Sequence, residues 1–322
     1  MRRLSQAGFK KDFVHPAVLP DWWDETCAQQ PELLGDIEIR VARFLGVPIS
    51  AVRNPGAALA PTEYANAQLR RVRDIDRSRL APAIHSALRI GAAVVRSLRD
   101  RATSPQSIPP DPLQWRDHLR PAAGAVVLDT VLSDLWTRGI PVVPIDVLPA
   151  PSFQGVACIV EGRPVILMGH RYDEPGRAAF LIAHEAGHLA AGDCSPDQPV
   201  VDQTDEVLDD SLIERRADRY ATRALVGGDE PPPVEATDFK ELARQAAHLE
   251  RQTAVDASLI IFAWAARTGD YAKASMAVRA LYRGIGARRK LRQYVDQYVD
   301  LEAANETDRA LLRCVWGEPG AR

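Results

Sequence analysis

Two proline-rich stretches, Thr103-Ser-Pro-Gln-Ser-Ile-Pro-Pro-Asp-Pro112 and Gly227-Gly-Asp-Glu-Pro-Pro-Pro233, constrain the fold of this chain more than any other feature. Proline lacks a backbone N–H and fixes φ, so neither stretch can continue a helix or lie inside a sheet. Regular structure is therefore divided into three regions. Ahead of the first break, apolar residues recur at helical spacing over 36–45 and 80–99, with Pro82 near the start of the second segment, where proline is tolerated. Beyond the second break the same spacing predicts helices over 238–251, 256–268, 271–282 and 289–303, an all-α bundle. The middle region is mixed. It reads as a helix over 126–137, a strand over 140–147, then two short strands around Glu161-Gly-Arg-Pro164. The domain map that follows is a helical N-terminal region 1–102, a linker 103–112, a central α+β domain 113–230 and a C-terminal helical bundle 231–322.

The central region carries His184-Glu-Ala-Gly-His188. Four residues make about one helical turn, so the two imidazoles share a face and can reach one ion. Glu185 is rotated by about 100°, where it cannot chelate with them but can take a proton from a water beside the ion. The flanks fit a buried helix: Ala178 to Ala183 before the motif, Leu189 to Ala191 after it, and Gly192 as a C-terminal stop. A third donor is available in Glu214. It lies on an amphipathic segment, 211–225, in which Leu212, Ile213, Ala217, Tyr220, Ala221, Ala224 and Leu225 recur at three- and four-residue spacing. Glu214 falls beside this apolar stripe and so points inward, where a carboxylate needs a cation or strong donors. Asp218, one turn on, is placed to accept the free N–H of a ligand histidine and fix its tautomer. Cys194 is a rival third donor, six residues after His188; its other reading is a loop thiol, because Gly192 comes one place late for the turn that ligation would need.

These segments together resemble the ImmA/IrrE-type metallo-endopeptidases, a bacterial and phage family with a minimal zincin fold. The likeness rests on the lead-in from Gly155 to Met168, on Ala183-His-Glu-Ala-Gly-His188, and on Glu214-Arg-Arg-Ala-Asp-Arg-Tyr-Ala221. It covers roughly residues 113–230. It implies a zincin-like α+β core flanked by all-α regions, zinc held by His184, His188 and Glu214, and Glu185 as the catalytic acid/base. It further implies a protein substrate, typically a helix-turn-helix transcriptional repressor whose cleavage switches on mobile-element or stress-response genes. Arg216 stands where family members often have Glu, and Val226-Gly-Gly replaces the usual Leu-Met-Pro; neither touches a ligand. His170 and Tyr172, just past the hairpin, are candidates for donors to a developing oxyanion, although a surface turn explains them equally well. Residues 163–169 suit either an edge strand that pairs with an extended peptide or an internal strand of the sheet.

Composition narrows the remaining classes. A net charge of −3 argues at whole-chain level for neither nucleic acid nor an acidic partner. Cys27, Cys158, Cys194 and Cys314 are far apart and show no Cys-x-x-Cys pairing, which is expected of reduced thiols in a cytoplasmic protein. The basic start has no apolar run behind it, and no stretch approaches the ~20 apolar residues of a membrane span. Residues 41–54 have helix-turn-helix spacing, with Arg53 and Asn54 as conceivable base readers, but Pro55 stops the second helix after about one turn. Direct DNA binding is therefore the weaker expectation. Trp22-Trp23 suits a partner anchor or a closed core, and the basic run Arg283, Arg288-Arg289-Lys290, Arg292 suits an acidic partner or a solvated face.

Overall fold

A computed structural model describes residues 1–59, 68–69, 77–100, 103–120, 124–147, 153–169, 173–195, 200–203, 212–282 and 286–316. Its elements run α1 (Arg2–Gln6), α2 (Lys11–Val18), α3 (Pro31–Leu45), α4 (Ile49–Arg53), β1 (Gln68–Leu69), α5 (Arg77–Arg96), α6 (Pro112–Leu119), α7 (Leu128–Thr137) and β2 (Val142–Pro144). Then come β3 (Phe153–Val160), β4 (Arg163–Met168), α8 (Pro175–Ala191), β5 (Val200–Gln203) and α9 (Leu212–Val226). The last five are α10 (Phe239–Thr253), α11 (Ala257–Thr268), α12 (Tyr271–Leu281), α13 (Ala287–Tyr298) and α14 (Glu306–Val315). The architecture is mixed α+β and mostly helical.

The hairpin lies where its turn residues predict it. Glu161 and Gly162 both take positive φ, 52° and 71°, as a two-residue type I′ turn requires. β3 and β4 pair antiparallel from Gly155↔Met168 to Val160↔Arg163. β2 adds parallel to β4, β5 antiparallel to β3, and β1 parallel to β5, giving the order β1-β5-β3-β4-β2. β4 is thus an internal strand. β3 pairs along its whole length and β2 along residues 166–168, so that half of the strand has a partner on both sides.

Side chains alternate across the sheet, which puts Val156, Val160 and Leu167 on one face and Gly155 and Ala157 on the other. α5 covers the first face. A Cβ added at Gly91 would lie only 3.4 Å from Val160 and 3.6 Å from Leu167. α8 crosses the second face, with Glu185 against Gly155. A helix from ahead of the first proline break therefore forms one layer of the sheet's surroundings, and one hydrophobic cluster extends from Leu4 through Leu167 to Trp316.

The stretch over 103–111 is irregular, as its prolines demand, with Pro112 opening α6, and it is strapped down. Ile108 is buried, Gln106 N–H donates to Arg138 O (2.9 Å), and the Tyr220 hydroxyl donates to Pro109 O (2.6 Å). The strand expected over 140–147 contracts to β2 because Asp146 N–H turns away to Val315 O. The helix expected over 289–303 stops at Tyr298. Val299 bridges Leu98, and the Asp300 carboxylate accepts the N–H groups of Glu302 and Ala303. Asn305 then caps α14, a helix the sequence analysis did not separate. Arg96 of α5 grips Asp308 of α14 with two bonds of 2.8 and 2.7 Å.

α3 ends at Gly46 in the left-handed region (φ 68°), and α4 is a single turn of five residues ahead of Pro55. Arg53 bonds Glu38 at 2.7 Å. In the basic run, Arg288 pairs with Asp146, Lys290 with Asp129 and Arg292 with Asp296, while Arg283 lies outside the described residues. Trp22 is exposed and stands edge-on to Trp23, which packs on the core. Among the described residues, no helix is long and apolar enough to cross a membrane.

Candidate metal centre

The motif helix begins with Pro175 at its first turn and ends at Gly192, whose φ of 72° lets Asp193 N–H double back to His188 O (3.0 Å). Small residues let its neighbours come close. A Cβ at Gly187 would lie 3.2 Å from Tyr220, so α9 settles directly against the motif. That approach brings Glu214 to the two histidines. His184, His188 and Glu214 are all buried, and they form a group able to hold a metal ion. The His184 and His188 Nε2 atoms are 3.1 Å apart. Glu214 Oε2 is 3.2 Å from His184 Nε2, and Oε1 is 3.6 Å from His188 Nε2.

The other nitrogen of each ring settles what these atoms present to one another. His184 Nδ1 lies 2.8 Å from Asp218 Oδ1, and His188 Nδ1 lies 2.9 Å from Asp193 Oδ2. An ionised carboxylate only accepts, so each Nδ1 carries a proton and donates. A neutral ring then turns its lone pair inward through Nε2. Two lone pairs and a carboxylate converging in a dry space require positive charge between them.

The titration behaviour expresses the same requirement. Burial disfavours charge on His184, but its bonds to Asp218 and Glu214 and the nearby Glu185 outweigh that and push its pKa up to about 10. His188 also moves up: burial is again overcome, here by Glu214 and Glu185 and, more weakly, Asp193. Burial would raise Glu214, yet the two histidines hold it far below the usual carboxylate range. A proton can supply the missing charge, as can a metal ion.

Glu185 is buried and stands apart from the three donors, on the strand side of α8. A side chain at Gly155 would overlap its carboxylate, so the glycine in β3 is what makes room for it. Cys194 is not part of the cluster. Its thiol donates to Ala157 O at 3.4 Å, on the sheet side, and it behaves as a loop thiol. His170 and Tyr172 lie outside the described residues. Asp193 was missed by sequence reasoning. The signal available for it was its place immediately after the helix-terminating Gly192, where a left-handed turn sends the chain back towards His188.

Comparison with protein-family models, with curated proteins and with solved structures finds no match for this chain.

Proposed function

We propose that this protein is a zinc-dependent endopeptidase with a zincin-like core, acting on a protein substrate. The observation that carries the reading is the convergence of His184, His188 and Glu214 at 3.1 to 3.6 Å, with both outer imidazole nitrogens engaged by carboxylates. Zinc is bound by nitrogen and oxygen donors at about 2.0–2.2 Å, for which tetrahedral geometry requires donor atoms about 3.4 Å apart. Two histidines and one carboxylate are the donor set of a site that keeps a fourth position open. When bound, the ion would supply Lewis acidity towards a water and the scissile carbonyl.

The chain's own groups do the rest. Glu185, held in the clearing above Gly155, accepts the proton of the attacking water and delivers it to the leaving amine. Asp218 and Asp193 keep the two imidazoles in the tautomer that ligates. Resemblance to the ImmA/IrrE-type family supports a transcriptional regulator of the helix-turn-helix class as the substrate. The rival, a zinc-binding regulator with little peptidase activity, has no use for the buried Glu185 carboxylate next to His184 in the motif.

The expected outcome is about one zinc ion per chain, lost in His184→Ala and Glu214→Gln. Glu185→Gln should retain the metal and lower peptide cleavage about 10²–10⁴-fold. Metal content by elemental analysis, alongside cleavage of an unstructured peptide library, checks both. Loss of zinc in Glu185→Gln would refute the division of roles, and full activity without metal would refute the reading as a whole.

A further inference from the structure

We infer that Arg216 and Asp193 form a positioning relay for His188, so that α9 supports both imidazoles as well as supplying the third donor. The inference rests on the zinc reading above. The two histidines are held differently. His184 leans on Asp218, which shares α9 with Glu214. His188 leans on Asp193, which belongs to neither helix and sits just past the Gly192 turn. An aspartate at such a place can swing its carboxylate to solvent by rotating about χ1. Here its two oxygens are divided. Oδ2 accepts from His188 Nδ1 at 2.9 Å, and Oδ1 accepts from Arg216 Nη2 at 2.5 Å.

Exposure separates this arrangement from an ordinary surface ion pair. The Asp193 side chain is 10% exposed against 52% for Arg216, so the carboxylate faces the imidazole and the guanidinium closes over it from outside. An oxygen engaged on each side leaves the carboxylate a single orientation, and that orientation fixes the plane of the His188 ring. Glu214, Arg216 and Asp218 occupy alternate positions on one helical stretch. Seating α9 therefore delivers the ligand, the partner of one histidine and the lock on the partner of the other. Neither Asp193 nor Arg216 touches the donor atoms, and both are positioning residues.

Zinc affinity of the full-length protein, measured by competition with a chelator, tests the relay. Asp193→Ala is expected to weaken binding about 10–100-fold, as removal of a ligand's hydrogen-bond partner does. Arg216→Gln, losing a half-exposed pair, should weaken it about two- to fivefold, and Arg216→Lys should recover most of that. In the Asp193→Ala background, Arg216→Gln should add nothing, because its effect passes through the aspartate. A fold defect would disturb both histidines alike, so the Nδ1 proton resonances of the zinc-loaded protein give a separate readout. In Arg216→Gln the His188 proton should exchange faster while the His184 proton is unchanged. Wild-type affinity in Arg216→Gln, additive losses in the double variant, or equal changes at both protons would overturn the relay. A wild-type protein that binds no zinc would overturn the metal reading instead, and tight binding with unaffected variants would remove the relay alone.

Discussion

Burial lowers the pKa of His85 as it does that of His184, but at His85 the lowering prevails. His85 lies between the rings of Phe9 and Phe44, with Nε2 2.5 Å from the Phe44 carbonyl. Desolvation lowers that pKa, the Phe44 carbonyl opposes the fall, and the Arg89 charge adds to it, leaving about 4 against an ordinary 6.5. The unfolded chain thus binds this proton more readily than the folded one. Stability is complete above pH 6.5 and drains away as pH falls towards 4. The expected loss from this group between pH 7 and pH 5 is about 2 kcal/mol. Urea unfolding at both pH values should show that component in the wild type and lack it in His85→Gln; an equal pH slope in the two proteins would contradict it. At this scale much of the centre was legible. Glu214 and Asp218 follow from position on one amphipathic helix, where the three- and four-residue period decides what points inward. Asp193 does not, because periodicity ends at Gly192 and the side chain's direction depends on the turn that follows. Arg216 looked like a departure from a pattern, and its partner was invisible while Asp193 was.

Elements meet here through glycines placed where a side chain would hold them apart. Gly187 admits α9 to α8, and Gly155 admits the Glu185 carboxylate to the face of β3. Gly155→Ala should push that carboxylate aside without touching His184, His188 or Glu214. The expected variant keeps its zinc and loses peptide cleavage by about 10²-fold, close to removal of a general base. Metal analysis with the same peptide assay decides it, and unchanged cleavage would mean that Glu185 does not depend on the clearing. Long helices were legible from their period and from capping residues such as Asp238 and Asp256, each of which accepts two backbone N–H groups at a helix start. β1 and β5, two and four residues long, were not. A strand that short has too few alternations to stand out from a loop, and only pairing with β3 and its neighbours defines it.

Proline rules say where regular structure stops, and they are silent about which faces later meet. That is why the two breaks were readable while the packing across them was not. α5 covers the Val156 and Leu167 face of the sheet, and Arg96 ties it to α14. A chain lacking residues 1–100 would expose that apolar face to water. Such a fragment is expected to lose cooperative thermal unfolding and to aggregate, which calorimetry and light scattering can follow. A soluble fragment with a sharp transition and full zinc affinity would show that the central region stands alone. The turn at Gly192 also implies an order of events within the whole. The Asp193–His188 contact spans 5 residues and the Asp218–His184 contact spans 34. Closing the longer span loses more chain entropy, so the shorter one can form with the helix itself while the other waits for α9 to dock. One arm of the cradle is local and early, the other distant and late, and an ion arriving before the second would meet a site only half built.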